Sequence, residues 1–126
     1  MEKETEQLNQ LIQATNRLEE VLKEPVSSII KDSAIQRFEF CMDLTWKTLK
    51  TFLETNHGII VKSPKETFKE SYKVKMISFD NTWIEFVDLR NNTVHTYNEK
   101  LADLTFIQLP KYLELIKTLI ITLQSL

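Results

Sequence analysis

The 126 residues contain three arginines and two histidines. One of each falls in the stretch "DLRNNTVHTY", residues 88 to 97, together with Asn91, Asn92 and Tyr97. Arginine offers a planar fork of donors that fits a phosphate. Histidine exchanges a proton near neutral pH, and asparagine can orient either one. The set matches RNA cleavage without a metal. Histidine would take the 2′-hydroxyl proton or protonate the leaving oxygen, and arginine would stabilise the charge growing on the phosphate. On an ideal helix Asn91 and His95 share one face, while Arg90, Val94 and Tyr97 share another. Arg90 and His95 are then about 140° apart. Their convergence on one phosphate requires a distorted helix end or a second copy of the chain; a two-fold dimer would bring two such sets to one seam. Spacing alone equally describes a surface or capping pair, which is the commoner use of such residues at a helix end. There is no glycine-rich phosphate loop, and no paired histidines or cysteines suggest a metal.

The composition limits the alternatives. The chain is long enough for one hydrophobic core and is expected to be a single domain over 1–126. Hydrophobic residues are 42% and charged residues 27%, a globular balance. A net charge of −2 gives no general attraction to nucleic acid or to an anionic membrane, although a local basic site is compatible with it. One glycine and three prolines are too few for the turns of an all-β fold. The lone Cys41 sits in an apolar helical stretch and reads as a core residue. Met1 to Gln10 carries three glutamates and no apolar run, unlike a secretory signal. The most apolar stretch, "YLELIKTLIITLQSL", is interrupted by Glu114, Lys117 and Gln124, so no membrane span is expected. A soluble cytoplasmic protein without cofactor follows as the expectation. The glycosylation-like "NNT" at 91 to 93 carries no meaning there.

The elements that must position the 88–97 stretch are helical. A first helix is expected from about Thr5 to Lys23, on the repeat of Leu8, Leu11, Ile12, Thr15, Leu18, Val21 and Leu22. "KEPVSS" breaks it at Pro25. A second runs from about Asp32 to Asn56, capped by Asp32 or Ser33. Ile35, Phe38, Met42, Trp46, Leu49 and Phe52 or Leu53 form its apolar stripe, widened by Phe40, Cys41 and Leu44. His57-Gly58 ends it, with His57 an exposed helix-end residue. "SPKE" at 63 to 66 is a capping box opening a short helix to Tyr72, with Phe68 and Tyr72 buried. "KVKMISFDN" connects to a fourth helix from about Asn81, which carries Trp83, Ile84, Phe86, Val87 and Val94. The last starts at an Asn98 cap and is kinked or interrupted by Pro110. Four main helices, one short helix and short connections predict an all-α, antiparallel, up-and-down four-helix bundle.

Other residues have two readings. Glu39, Asp43 and Lys47 form an i, i+4 row on the second helix. This is either a solvated face, or Glu39 or Asp43 crosses the bundle to hold Arg90 or His95. Arg37 could contact a dimer partner or a phosphate. Trp46 and Trp83 are core or interface anchors, and Tyr72 is core.

"RNNTVH" resembles the R-x4-6-H signature of the HEPN superfamily, and Tyr97 extends it to R-x4-H-x-Y, as in the toxin subunit of HEPN/minimal-nucleotidyltransferase pairs. "DSAIQRFEFCMDLTWKTLKTFLE" at 32 to 54 resembles the second helix of the nucleotidyltransferase substrate-binding protein family. "SPKETFKESYKVKMI" and "WIEFVDLRNNTVHTYNE" continue that family's order, so the resemblance spans nearly the whole chain. It implies a helical-bundle homodimer paired with a small nucleotidyltransferase, and a metal-independent RNase toxin with Arg90 and His95 as catalytic pair and Asn91 in support. Tyr97 matches the tyrosine to which the partner adds AMP. Phosphate added beside Arg90 would occupy the arginine and repel RNA.

Three functional readings follow. The leading one is a HEPN-type endoribonuclease toxin silenced by AMP addition. The alternative is a non-catalytic subunit that binds or presents substrate, an RNA or a nucleotide, to the nucleotidyltransferase. The third is a structural dimer with a polar seam.

Overall fold

The longest helix organises the molecule. In a computed structural model describing residues 2–78 and 81–126, every regular element is helical. Helix α1 spans Glu2–Leu22, α2 Ser28–His57, α3 Pro64–Lys73, α4 Asn81–Asn92, α5 Glu99–Phe106 and α6 Leu109–Gln124. A single 3₁₀ turn, Thr93–His95, continues directly from α4. Helix α2 packs against α1, α3, α4, α5 and α6, giving the all-α bundle expected from the periodicity.

Local sequence explains most boundaries. Gly58 ends α2 in the left-handed conformation, φ 66°, donating to the Glu54 carbonyl while Ile59 donates to Leu53, a closure that glycine adopts without Cβ strain. Ser63 caps α3 by accepting from Glu66 N–H, and Glu66 reaches back to Lys62 N–H at 2.6 Å. Lys75, φ 65°, closes the other end of α3, with Met76 donating to the Ser71 carbonyl. Asn98 caps α5 through Leu101 N–H. Pro110 stands in the first turn of α6, where its missing N–H costs nothing. The expected last helix is therefore interrupted into α5 and α6.

Some expectations need correction. Helix α2 begins four residues before Asp32, because Ser27, not Asp32 or Ser33, supplies the cap, accepting from Ile30 N–H at 3.1 Å. Phe40 does not widen the buried stripe; it is 53% exposed, and Tyr72 is 46% exposed rather than core. Each lies at the edge of its helix's apolar face, and nothing in local spacing tells an edge position from a buried one. Val94 is exposed as well. Part of the "KVKMISFDN" connection, Phe79 and Asp80, lies outside the described residues.

The core explains how α4 is held. Phe38, Phe68, Trp83, Phe86 and Tyr112 form one ring cluster joining α2, α3, α4 and α6. Phe86 stacks on Tyr112 with centroids 5.1 Å apart and meets Phe38 at 5.3 Å. Such pairs add to the area that they bury. Trp83 is buried, as expected of an anchor, and Trp46 is half-buried beneath Lys50. Buried hydroxyls along α2 are satisfied within the helix: Thr45 and Thr48 each donate to the carbonyl four residues back at 2.6 Å. Cys41 is buried. Burial pushes its thiol up to about 12, against a smaller lowering by a hydrogen bond with Thr15, so it is protonated and inert at neutral pH.

Candidate functional site

Arg90 sits in the last turn of α4, and the ring cluster fixes that helix against α2. Its guanidinium crosses to α2. Nε and Nη2 donate to the two oxygens of Asp43, each at 3.3 Å. Nη1 lies 3.7 Å from Glu39 and donates to the Thr93 hydroxyl at 3.4 Å. The side-on edge of the fork is thereby taken by Asp43, in a parallel two-bond pairing. The end-on edge is left beside Glu39 and Thr93. Arg90 keeps 24% side-chain exposure, so a ligand can reach it. Of the two readings of the Glu39–Asp43–Lys47 row, the crossing to Arg90 is the one observed for Glu39 and Asp43.

The chain tightens directly after Arg90. Thr93 is buried, and its hydroxyl donates to the Arg90 carbonyl at 2.7 Å; Thr96 does the same to Thr93. These i to i−3 bonds fit a 3₁₀ turn rather than a continued α-helix. Two α residues and three 3₁₀ residues carry His95 about 200° round the axis from Arg90. The distorted helix end that convergence could use is present. Among the described residues no hydrogen bond joins Arg90 to His95 within one chain. His95 is exposed, and its ring meets Tyr97 edge-on with centroids 6.4 Å apart.

Tyr97 is 86% exposed. With Thr96 it forms one wall of a groove of about 600 Å³ whose other wall is α2, through Ile29, Gln36 and Glu39. Glu39 thus belongs both to the Arg90 cluster and to the Tyr97 groove, and places the two side by side. Asn91 is exposed and, among the described residues, is not hydrogen-bonded to Arg90 or His95. Thr93 occupies the place of the expected support. The one sequence signal for Thr93 is a β-branched hydroxyl residue three positions after the arginine. Among the described residues no group of three or more histidine, cysteine or acidic side chains could hold a metal, and no helix is long and apolar enough to cross a membrane.

An all-helical bundle with an arginine, a histidine and a tyrosine at one helix end defines a class of small helical proteins. Residues 6–125 match the family described as nucleotidyltransferase substrate binding protein like, and the chain belongs to that family. A probable ribonuclease HepT of Haemophilus influenzae is 30% identical over 94 residues, 68% of this chain and 64% of that protein. The match thus spans less than two-thirds of that relative's length. A crystal structure from Thermus thermophilus superimposes with a TM-score of 0.84 at 34% identity, covering 90% of this chain and 98% of that one. A Haemophilus influenzae structure described as the fold of a substrate binding domain of a nucleotidyltransferase gives 0.82 at 26% identity, covering 93% and 98%.

Proposed function

We propose that the chain is a HEPN-type toxin: a metal-independent endoribonuclease acting in the cytoplasm as a homodimer, and silenced by AMP addition from a partner minimal nucleotidyltransferase. The observation that carries this reading is the Arg90 guanidinium, held by Asp43 and still partly exposed, where a phosphate would replace the longer Nη1 contacts to Glu39 and Thr93. His95 stands exposed five residues on. On ideal helix geometry the two residues lie on different sides of the axis, and in this reading two protomers supply the pair across a two-fold seam.

The reaction is an attack of the RNA 2′-oxygen on the adjacent phosphorus. His95 removes the 2′-hydroxyl proton, a P–O2′ bond forms, the P–O5′ bond breaks, and the 5′-oxygen receives a proton. The products are a cyclic phosphate and a free 5′-hydroxyl. Arg90 stabilises the charge on the phosphoryl oxygens; Asp43, Glu39 and Thr93 position Arg90, and Asn91 supports the pair once RNA is bound. In silencing, the Tyr97 phenol oxygen attacks the α-phosphorus of ATP and pyrophosphate leaves. The new phosphate stands beside the shared groove, where it competes for Arg90 and repels RNA.

A second reading is favoured by the description of the structural relative as a substrate binding domain of a nucleotidyltransferase: an adaptor that presents substrate without cleaving anything. Expression without the partner separates the two. Growth arrest and RNA cleavage by the wild type, absent for His95→Ala, support the toxin. Harmless expression of both at equal level supports the adaptor.

A further inference from the structure

A second groove lies on the opposite flank of α2, between it and α1. It has a volume of about 420 Å³ and is lined by two of the three arginines of the chain, Arg17 and Arg37, with Gln13, Ser33, Gln36 and Phe40 among the other residues. No carboxylate lines it. The nearest acids on α2, Asp32 and Glu39, line the Tyr97 groove instead.

The cations differ in how they are held. The Arg37 Nη1 donates to the Arg17 carbonyl at 2.7 Å, which ties the Arg37 guanidinium to α1. Among the described residues the Arg17 guanidinium has no hydrogen-bond or ion-pair partner. Phe40 stands one helical turn beyond Arg37 with 53% of its surface in water. An aromatic face beside one anchored and one unpartnered guanidinium suits a single-stranded nucleotide, since any base can stack and the phosphate pairs with arginine. Ser33 and Gln36 line both this groove and the Tyr97 groove, so the two surfaces are continuous across α2.

We infer that the α1–α2 groove is a nucleotide subsite for single-stranded RNA, with a base stacked on Phe40 and phosphates on Arg17 and Arg37, leading the strand across α2 to Arg90. This rests on the ribonuclease reading above and names its substrate class as single-stranded rather than duplex RNA.

Binding of a labelled single-stranded RNA oligomer, measured by fluorescence anisotropy in a His95→Ala background, tests the groove apart from cleavage. The pair Arg17→Gln/Arg37→Gln is expected to flatten the slope of log K against log salt by about 1.4, two phosphates at about 0.7 each. Phe40→Ala is expected to weaken binding roughly 10-fold. Lys69→Gln, on α3 outside the groove, is expected to change neither. Arg17→Gln alone removes no bond within the fold and serves where the double variant melts early. An unchanged slope, an equal loss with Lys69→Gln, or a change of oligomeric state in the groove variants would overturn the subsite. Cleavage by the wild type with groove-independent binding would sink the groove and leave the Arg90–His95 reading standing. Groove-dependent binding without cleavage would do the reverse.

Discussion

Asp43 on α2 holds Arg90 on α4 through both carboxylate oxygens, each 3.3 Å from a guanidinium nitrogen. The carboxylate is 38% exposed and the arginine 24%, so the pair adds little to stability, under about 1 kcal/mol once solvent screening is allowed for. Its effect is on position. Asp43→Asn is expected to lower RNA cleavage about 10-fold or more, with a thermal midpoint near that of the wild type. Steady-state kinetics and a melting curve on the same preparation check this; full activity in Asp43→Asn would remove Asp43 from the site.

Phe86 places α4. It is fully buried and contacts Phe38, Phe68, Trp83 and Tyr112. Phe86→Ala leaves a cavity in the ring cluster and is expected to cost about 3–5 kcal/mol, read from urea denaturation. A loss below about 1 kcal/mol would mean that the cluster does not hold α4 as described.

Much of this frame was legible in the sequence, for a physical reason: signals that act through the backbone of one segment are local. Gly58, Ser63, Asn98 and Pro110 each act within a turn of their own position, and each marks a boundary where it was expected. Ile35, Phe38, Met42 and Leu49 of the α2 stripe are likewise buried, with Trp46 half-buried between them. What depends on a second element was not readable. Ser27 caps α2 ahead of Asp32 by accepting from Ile30 N–H. The exposure of Phe40 and Tyr72 depends on how neighbouring helices cover each edge. The crossing of Glu39 and Asp43 could be stated from sequence only as one of two readings, since a row of charges at i, i+4 looks the same facing water or facing Arg90. The 3₁₀ turn was hidden because it arises from side-chain bonds of Thr93 and Thr96.

The link between α1 and α6 makes stability depend on pH. Lys117 donates to Glu19 at 2.8 Å, and that hydrogen bond, with the charge of the ammonium group, lowers the Glu19 carboxyl from its ordinary value. A carboxyl lowered on folding stabilises above its unfolded value and loses that contribution as pH falls through its folded value. Lys117 is raised, first by the same bond; its share is present below the ordinary lysine range and is lost as pH rises through the raised value. Glu19→Gln is therefore expected to melt below the wild type at pH 7, with the gap closing at acid pH below the ordinary glutamate value of 4.5. A gap that persists under strong acid would assign the loss to packing instead.

Tyr97 is almost wholly in water and contacts His95 only edge-on. Tyr97→Phe is thus expected to leave the melting temperature unchanged. It is also expected to abolish the mass gain of one or more AMP groups when the chain is incubated with its nucleotidyltransferase partner and ATP. An undiminished mass gain in Tyr97→Phe would place the modification elsewhere.

The central claim is that Arg90 of one protomer and His95 of another act on one phosphodiester. The most direct measurement is cleavage of single-stranded RNA by the purified chain in the presence of a chelator, comparing wild type, Arg90→Ala, His95→Ala and a refolded mixture of the two variants. The expected result is cleavage by the wild type, loss of about 100-fold or more in each variant, and partial recovery in the mixture, where mixed dimers rebuild one intact pair. Cleavage by either variant at the wild-type rate, or no cleavage by the wild type, would contradict it.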